Sequence, residues 1–238
     1  MWVWIIATVL AYFVKGLSGF ANTLVFTSIL GFAQNNVNIS PVELGIGTPS
    51  NVIMTIRYRK HLIPKVYISL TFLVLAGSLP GAFLLKNVNA QYIKIVFGVI
   101  VILLGIEMFM RDAGKMVIKD SKVFPIIIGL LSGILCGLFG VGALLAAYIG
   151  RATETADEFK ANISAVFLAD NIFRIIVYSV LHVLTFDTLK MSLILIPFML
   201  IGLYLGMLSG RFLNDKMVKK IVIILLIISG ISLIATNL

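Results

Sequence analysis

Two basic side chains, Lys15 and Arg174, stand inside long apolar runs, about 13 residues after the N-terminal end of one run and about 11 residues after Ile163 in the other. At 1.5 Å per residue either position lies about 16–20 Å into its element, near the middle of a hydrocarbon layer of roughly 30 Å. A charge at that depth is costly and is a functional candidate by default. Both residues are cationic, so the chemistry they offer is anion binding. Arg174 adds a planar fork that matches an oxyanion at two points. Asp170 precedes it by four residues, on the same helical face. The pair reads either as a structural ion pair or as a switch, in which an entering anion competes with the carboxylate for the guanidinium. Lys15 has its own bland reading, a stem that snorkels to water.

Neutral hydrogen-bonding groups gather at the same depth. Asn51 follows Pro41 by ten residues, and Thr48 and Ser50 flank Pro49, which lacks an N–H and interrupts backbone pairing. Asn171 adjoins Asp170, and Asn22 follows a glycine-rich break. The candidate binding set is therefore Lys15, Asn22, Ser50, Asn51, Asp170, Asn171 and Arg174, with no catalytic residue, metal or cofactor expected.

The elements that must position them are membrane elements. The 238 residues are 60% hydrophobic and only 12% charged, and the mean hydropathy is +1.10. A soluble domain usually carries about 25% charged residues. Apolar runs of about 18–20 residues without a central charge, the length that spans a bilayer, occur at Val66–Leu85, Tyr92–Met110, Leu189–Leu208 and Val218–Ala235, and the connections between runs are short. One membrane domain over 1–238 follows. The net charge of +9 is spread over the ends of apolar runs rather than gathered in one patch, which excludes nucleic acid as the natural partner. The N-terminus lacks the basic region of a signal peptide, and Trp2 and Trp4 read as interface residues. The lone Cys136 excludes an internal disulfide.

The chain also repeats itself. At an offset of 125, Gly77 meets Gly202, Gly81 meets Gly206, Lys86 meets Arg211, Asn89 meets Asn214, Lys94 meets Lys219 and Gly105 meets Gly230. Earlier in each half the offset is about 120, so that Asn51 meets Asn171, Tyr58 meets Tyr178 and Gly16 through Gly19 meets Gly137 through Gly140. Repeat 1 covers about 1–115 and repeat 2 about 121–238, each with four apolar elements. The first of each, Trp2–Phe32 and Pro125–Ile149, is broken by glycines at Lys15–Gly19 and Gly133–Gly142. Each is a kinked span or a re-entrant hairpin of two pieces of about 12 residues. If both are hairpins, fourteen of the nineteen Lys and Arg fall on one side and three on the other, with Lys15 and Arg174 inside elements. If both cross fully, the split is eight to nine. The positive-inside rule selects the hairpins, six crossings, inverted halves and both termini outside the cytoplasmic membrane.

Local signals mark element starts. Ser40-Pro41-Val42-Glu43 reads as a capping box with proline at the first helical position, and Thr155-Ala156-Asp157-Glu158 as the matching one. Gly202, Gly206 and Gly210, echoed by Gly77 and Gly81, form a packing stripe. The triplets at Asn38 and Asn162 read as coincidental glycosylation matches. Other classes find little support. No phosphate loop for ATP and no His-Glu-x-x-His is present, and His61 and His182 lie near opposite membrane ends. Ser18 in Gly-Leu-Ser-Gly resembles an intramembrane protease only superficially. The chain does not read as an enzyme.

The glycine-rich opening of each half, above all Gly133 through Gly142, resembles the sulfite exporter TauE/SafE family of anion permeases, as do the four-plus-four arrangement and the basic loop after the second element. Where members often carry Gly-Thr-Ser, this chain has Gly47-Thr48-Pro49-Ser50 and Leu168-Ala169-Asp170-Asn171. The resemblance implies an all-α polytopic protein that moves a small anion such as sulfite or a sulfonate. Its partners would be that anion, the bilayer and a coupling proton. The other readings are a non-transporting scaffold or assembly protein, and an anion channel. Substrate, direction and oligomeric state, a homodimer among the options, stay open.

Overall fold

A computed structural model describes residues 1–30, 36–87, 123–139, 142–212 and 214–235, together with isolated helical positions between 95 and 110. Every regular element among the described residues is helical: α1 (Trp2–Ser18), α2 (Asn22–Leu30), α3 (Asn36–Arg57), α4 (Pro64–Asn87), α5 (Val123–Phe139), α6 (Ala143–Ala152), α7 (Ala156–Val180), α8 (Phe186–Gly210) and α9 (Asp215–Ala235), with a 3-10 turn at Arg59–His61. Among the described residues, three helical segments, Pro64–Phe83 in α4, Ala156–Val180 and Phe186–Gly210, are long and apolar enough to cross a membrane. The run Tyr92–Met110 and the residues Asn89 and Lys94 fall largely or wholly outside the described residues.

The molecule is apolar outward and partly polar inward. Phe72, Ile176, Leu193 and Phe186 are exposed, whereas Lys15, Glu43, Asp170 and Arg174 are buried. Lipid as the surrounding solvent accounts for both, because exposed apolar side chains cost nothing there and charged ones must face the interior.

The expected break in the first element is present. α1 ends at Ser18, and Gly19 adopts φ 91°, ψ −14°, its N–H returning to the Lys15 carbonyl. Ala21 follows at φ 68°, and α2 then packs on α1. Gly19 is required twice over, by its left-handed φ and because a Cβ would sit 2.9 Å from Lys160 Cγ. The first piece has 17 residues where about 12 was expected, and the second is described as far as Leu30. In the second half α5 and α6 flank the corresponding break.

Helix pairing crosses between the halves. α1 lies against α8, and α5 lies against α4. Both interfaces are made by glycine. A Cβ on Gly202 or Gly206 would strike the carbonyls of Val9 and Phe13 in α1, and one on Gly77 or Gly81 the carbonyls of Leu130 and Ile134 in α5. Gly16 faces Gly206 as Gly137 faces Gly81. The stripe is thus a packing device, as its spacing predicts, although Gly210 is less crowded, 3.3 Å from Lys160 Nζ.

The second elements, α3 and α7, pack antiparallel at the centre. Ser40, near the start of α3, meets Tyr178, near the end of α7, through oxygens 3.1 Å apart. At the opposite end the Asn162 side chain near the start of α7 accepts from the Ile63 N–H and donates to the His61 carbonyl, tying the 3-10 turn to α7. The Asn162 triplet therefore lies in a packed helix, where its amide has a structural task.

One expectation is corrected. α3 begins at Asn36, so Ser40, Pro41 and Glu43 lie inside it rather than at its start. Ser40 and Glu43 are buried and point at other helices. The box at Thr155 is real: Thr155 accepts from the Glu158 N–H, and the Glu158 carboxylate accepts from the Thr155 N–H.

Candidate functional site

Lys15 is in the last turn of α1, 1% exposed, and has not snorkelled. Its ammonium donates to Asn51 Oδ1 at 2.7 Å and lies 5.7 Å from the centre of the Tyr12 ring. Asn51 is in α3, so one hydrogen bond ties the break in the first element to the central helix. A second tie lies beside it. Asn22, the first residue of α2, donates to Glu43 Oε1 at 2.6 Å, and the Tyr12 hydroxyl donates to the same oxygen at 3.5 Å. Glu43 is the buried carboxylate of this half.

Gly47, one turn after Glu43, leaves a small hollow. A Cβ there would lie 3.2 Å from Glu43 Oε1, 3.4 Å from Asn171 Nδ2 and 3.5 Å from the Tyr12 hydroxyl. Polar groups of α1, α3 and α7 thus converge on one point. The neighbouring hydroxyls are occupied by their own helix. Ser50 donates to the Gly47 carbonyl and Thr48 to the Leu44 carbonyl, both at 2.7 Å. Pro49 lies within α3 and lacks the N–H that the Gly45 carbonyl would otherwise receive. Ser50 therefore shapes the helix locally.

Arg174 is also 1% exposed. One terminal nitrogen donates to Ser40 Oγ and to the Tyr178 hydroxyl, each at 3.0 Å, and the guanidinium lies 5.0 Å from the centre of the Tyr178 ring. Tyr178 passes its own proton to the Gly137 carbonyl at 2.8 Å, at the glycine break of the second half. The chain Arg174, Ser40, Tyr178, Gly137 closes one end of the α3–α7 pair. Asp170 shares a helical face with Arg174 but makes no ion pair within 4 Å and no hydrogen bond among the described residues. Both of its oxygens and Arg174 Nε lack a hydrogen bond of ordinary geometry among the described residues, as does the Ser78 hydroxyl that lies toward Asp170. Buried polar groups are rarely left so.

Sequence reasoning named Lys15, Asn22, Ser50, Asn51, Asp170, Asn171 and Arg174, and the fold sets all seven in the interior along α1, α2, α3 and α7. It missed Tyr12, Ser40, Glu43 and Tyr178. Glu43 and Ser40 were disguised as a helix start. The tyrosines sat in apolar runs, where only the 120-residue match of Tyr58 to Tyr178 marked one of them out.

A multi-pass helical membrane protein whose interior holds lysine, arginine, two carboxylates and three asparagines, with Lys15 and Asn22 flanking a helix break, has the build of a membrane transport protein. The chain belongs to the sulfite exporter TauE/SafE family, which matches residues 4–233, and the resemblance drawn from the glycine-rich openings is correct. That family is one of membrane anion exporters rather than enzymes. No curated protein and no solved structure matches the chain.

Proposed function

We propose that the chain is a secondary permease that carries a small sulfur-containing or organic oxyanion through the interior between α1, α3 and α7. The observation that carries this is the pair of fully buried cations, Lys15 and Arg174, each held by neutral partners that an anion can displace. Asn22, Asn51 and Asn171 orient the anion. Ser50 holds the Gly47 carbonyl of α3 beside them. The repeat-matched helices α3 and α7 run antiparallel, which supports inverted halves and hence carrier architecture with a site at mid-depth.

Charge balance adds coupling. Around the α1–α3–α7 site Lys15 and Arg174 stand two against two with Glu43 and Asp170, while the third buried cation, Lys160, lies beyond Gly19. A monoanion entering alone leaves one buried negative charge uncompensated, at a cost of about 3–5 kcal/mol. A proton taken up on Glu43 or Asp170 removes that cost. The carrier therefore moves one proton with each monovalent anion. Proteoliposomes loaded with the purified protein test both claims, using radiolabelled sulfite, thiosulfate and a small sulfonate. Saturable flux of one of them, driven by a pH gradient, is expected. Flux that never saturates marks a channel, and none over the whole panel marks a scaffold.

A further inference from the structure

Two arginines from different helices meet where α3 and α8 end. Arg57 is the last residue of α3, and Arg211 directly follows Gly210, the last residue of α8. With Tyr204, Met207 and Leu208 they line a notch on the protein surface. Both arginines are exposed. The Arg57 guanidinium lies 5.8 Å from the centre of the Tyr58 ring, a contact that positions it without neutralising it. Neither arginine makes an ion pair within 4 Å among the described residues. Asp157 and Glu158 line the larger cavity at the start of α7, which shares Met207 and Arg211 with the notch, but neither carboxylate lines the notch itself.

The surface leading away from the notch is apolar. Ile201, Tyr204, Leu205 and Leu208 follow one another at helical spacing along α8, and all are exposed, as are Val52 and Ile56 on the neighbouring α3. The α8 lane runs about 10 Å from Ile201 to Leu208. Arg211 stands just past the end of the apolar segment Phe186–Gly210, which is long enough to cross a membrane. The guanidiniums therefore lie at headgroup level, above a face that suits hydrocarbon.

We propose that this notch binds the phosphodiester headgroup of an anionic glycerophospholipid, with an acyl chain laid along the α8 lane. A guanidinium fork matches phosphate oxygens at two points. A zwitterionic lipid brings its own ammonium against two guanidiniums, whereas an anionic lipid brings negative charge alone, so the acidic lipid is selected. Basic pockets between membrane helices recognise headgroups in this way. Each arginine also complements the negative end of its own helix, but that role needs neither a shared notch nor an apolar lane. The bound lipid bridges the ends of α3 and α8. The site stands apart from the interior that holds Lys15 and Arg174, and it makes no use of the transport reading.

Native mass spectrometry of the purified, delipidated protein in detergent tests the site. Phosphatidylglycerol and phosphatidylcholine with the same acyl chains are titrated in, and the affinity for the first bound lipid is read for each. One basic residue against an acidic lipid is worth about fivefold in affinity. Phosphatidylglycerol should therefore bind at least about fivefold more tightly than phosphatidylcholine. Arg57→Gln and Arg211→Gln should each weaken phosphatidylglycerol about fivefold and leave phosphatidylcholine unchanged. Both positions are exposed, so the variants should melt with the parent; where one is not recovered, the other gives the same reading. Lys60→Gln, at an exposed position of the same end outside the notch, should change neither lipid. Excess glycerol 3-phosphate, a headgroup without chains, should not displace the lipid. Displacement would make the notch a site for a soluble phosphate compound and overturn the lipid assignment. Equal binding of the two lipids, or the same loss from Lys60→Gln as from the arginine variants, also overturns the proposal.

Discussion

Arg174 announced itself in the sequence because a charge within an apolar run has no cheap explanation. Its partners did not, because Ser40 lies 134 residues away and reads locally as a helix cap. Asp170 and Arg174 were expected to form either a structural pair or a switch; in the fold the guanidinium donates to Ser40 and Tyr178, and Asp170 lies along the same face without a hydrogen bond to it. Two-point donation is what lysine cannot reproduce. Arg174→Lys should fold, because the charge and much of the stem remain. It should weaken anion transport roughly 10- to 100-fold, the value of one or two lost charge-assisted hydrogen bonds, seen as a raised half-saturation concentration. Normal transport by this variant would remove Arg174 from the site. Glu43 supplies the complementary test. Glu43→Gln keeps an oxygen for Asn22 and Tyr12 but cannot take up a proton, so its flux should continue under an anion gradient and lose its response to a pH gradient. Asp170→Asn is the parallel variant, and the one that loses the response identifies the proton-carrying carboxylate.

At the scale of elements, the glycine spacing made the stripes legible as packing surfaces, and the matched offsets linked Gly77 to Gly202 and Gly81 to Gly206. Which helix each stripe faces was not legible, since a small residue specifies close approach but no partner. The fold resolves this by exchange, each stripe receiving the first helix of the other half. Gly206→Val follows from that geometry. Its side chain would meet the Phe13 carbonyl and the Gly16 backbone, neither of which can rotate away. Overpacking a well-filled interface costs typically about 1–3 kcal/mol, and backbone-to-backbone contact puts this site at the upper end. A clear drop in melting temperature in detergent is expected, and Gly81→Val should match it. Gly210→Ala, at the looser place beside Lys160, should be nearly silent. The cap at Thr155 was legible because its helix starts where the box says, whereas the Ser40 box failed because α3 had already begun at Asn36.

For the whole molecule, the positive-inside count predicts that the turn at Arg59–His61 faces the cytoplasm and the start of α8 the other side. In a Cys136→Ala background, Asp187→Cys should react with an impermeant thiol reagent in intact cells, and Lys60→Cys only after permeabilisation. The reverse pattern, or equal protection of both, would sink the orientation. The unequal ends of the α3–α7 pair carry a consequence for the working cycle. Were the two halves chemically identical, the outward-open and inward-open forms would have equal energy, and an unloaded carrier would divide its time evenly between them. Here one end is sealed by a neutral serine and tyrosine bound to an arginine, and the other must bury or release the ammonium of Lys160, the repeat match of Ser40 at the offset of 120. On the carrier reading proposed above, that difference gives the empty protein a preferred resting orientation, the one with the Lys160 end open. Reloading from that side is then favoured before any gradient acts. A kinetic preference for one direction of transport would originate in a single repeat position that holds serine in one half and lysine in the other.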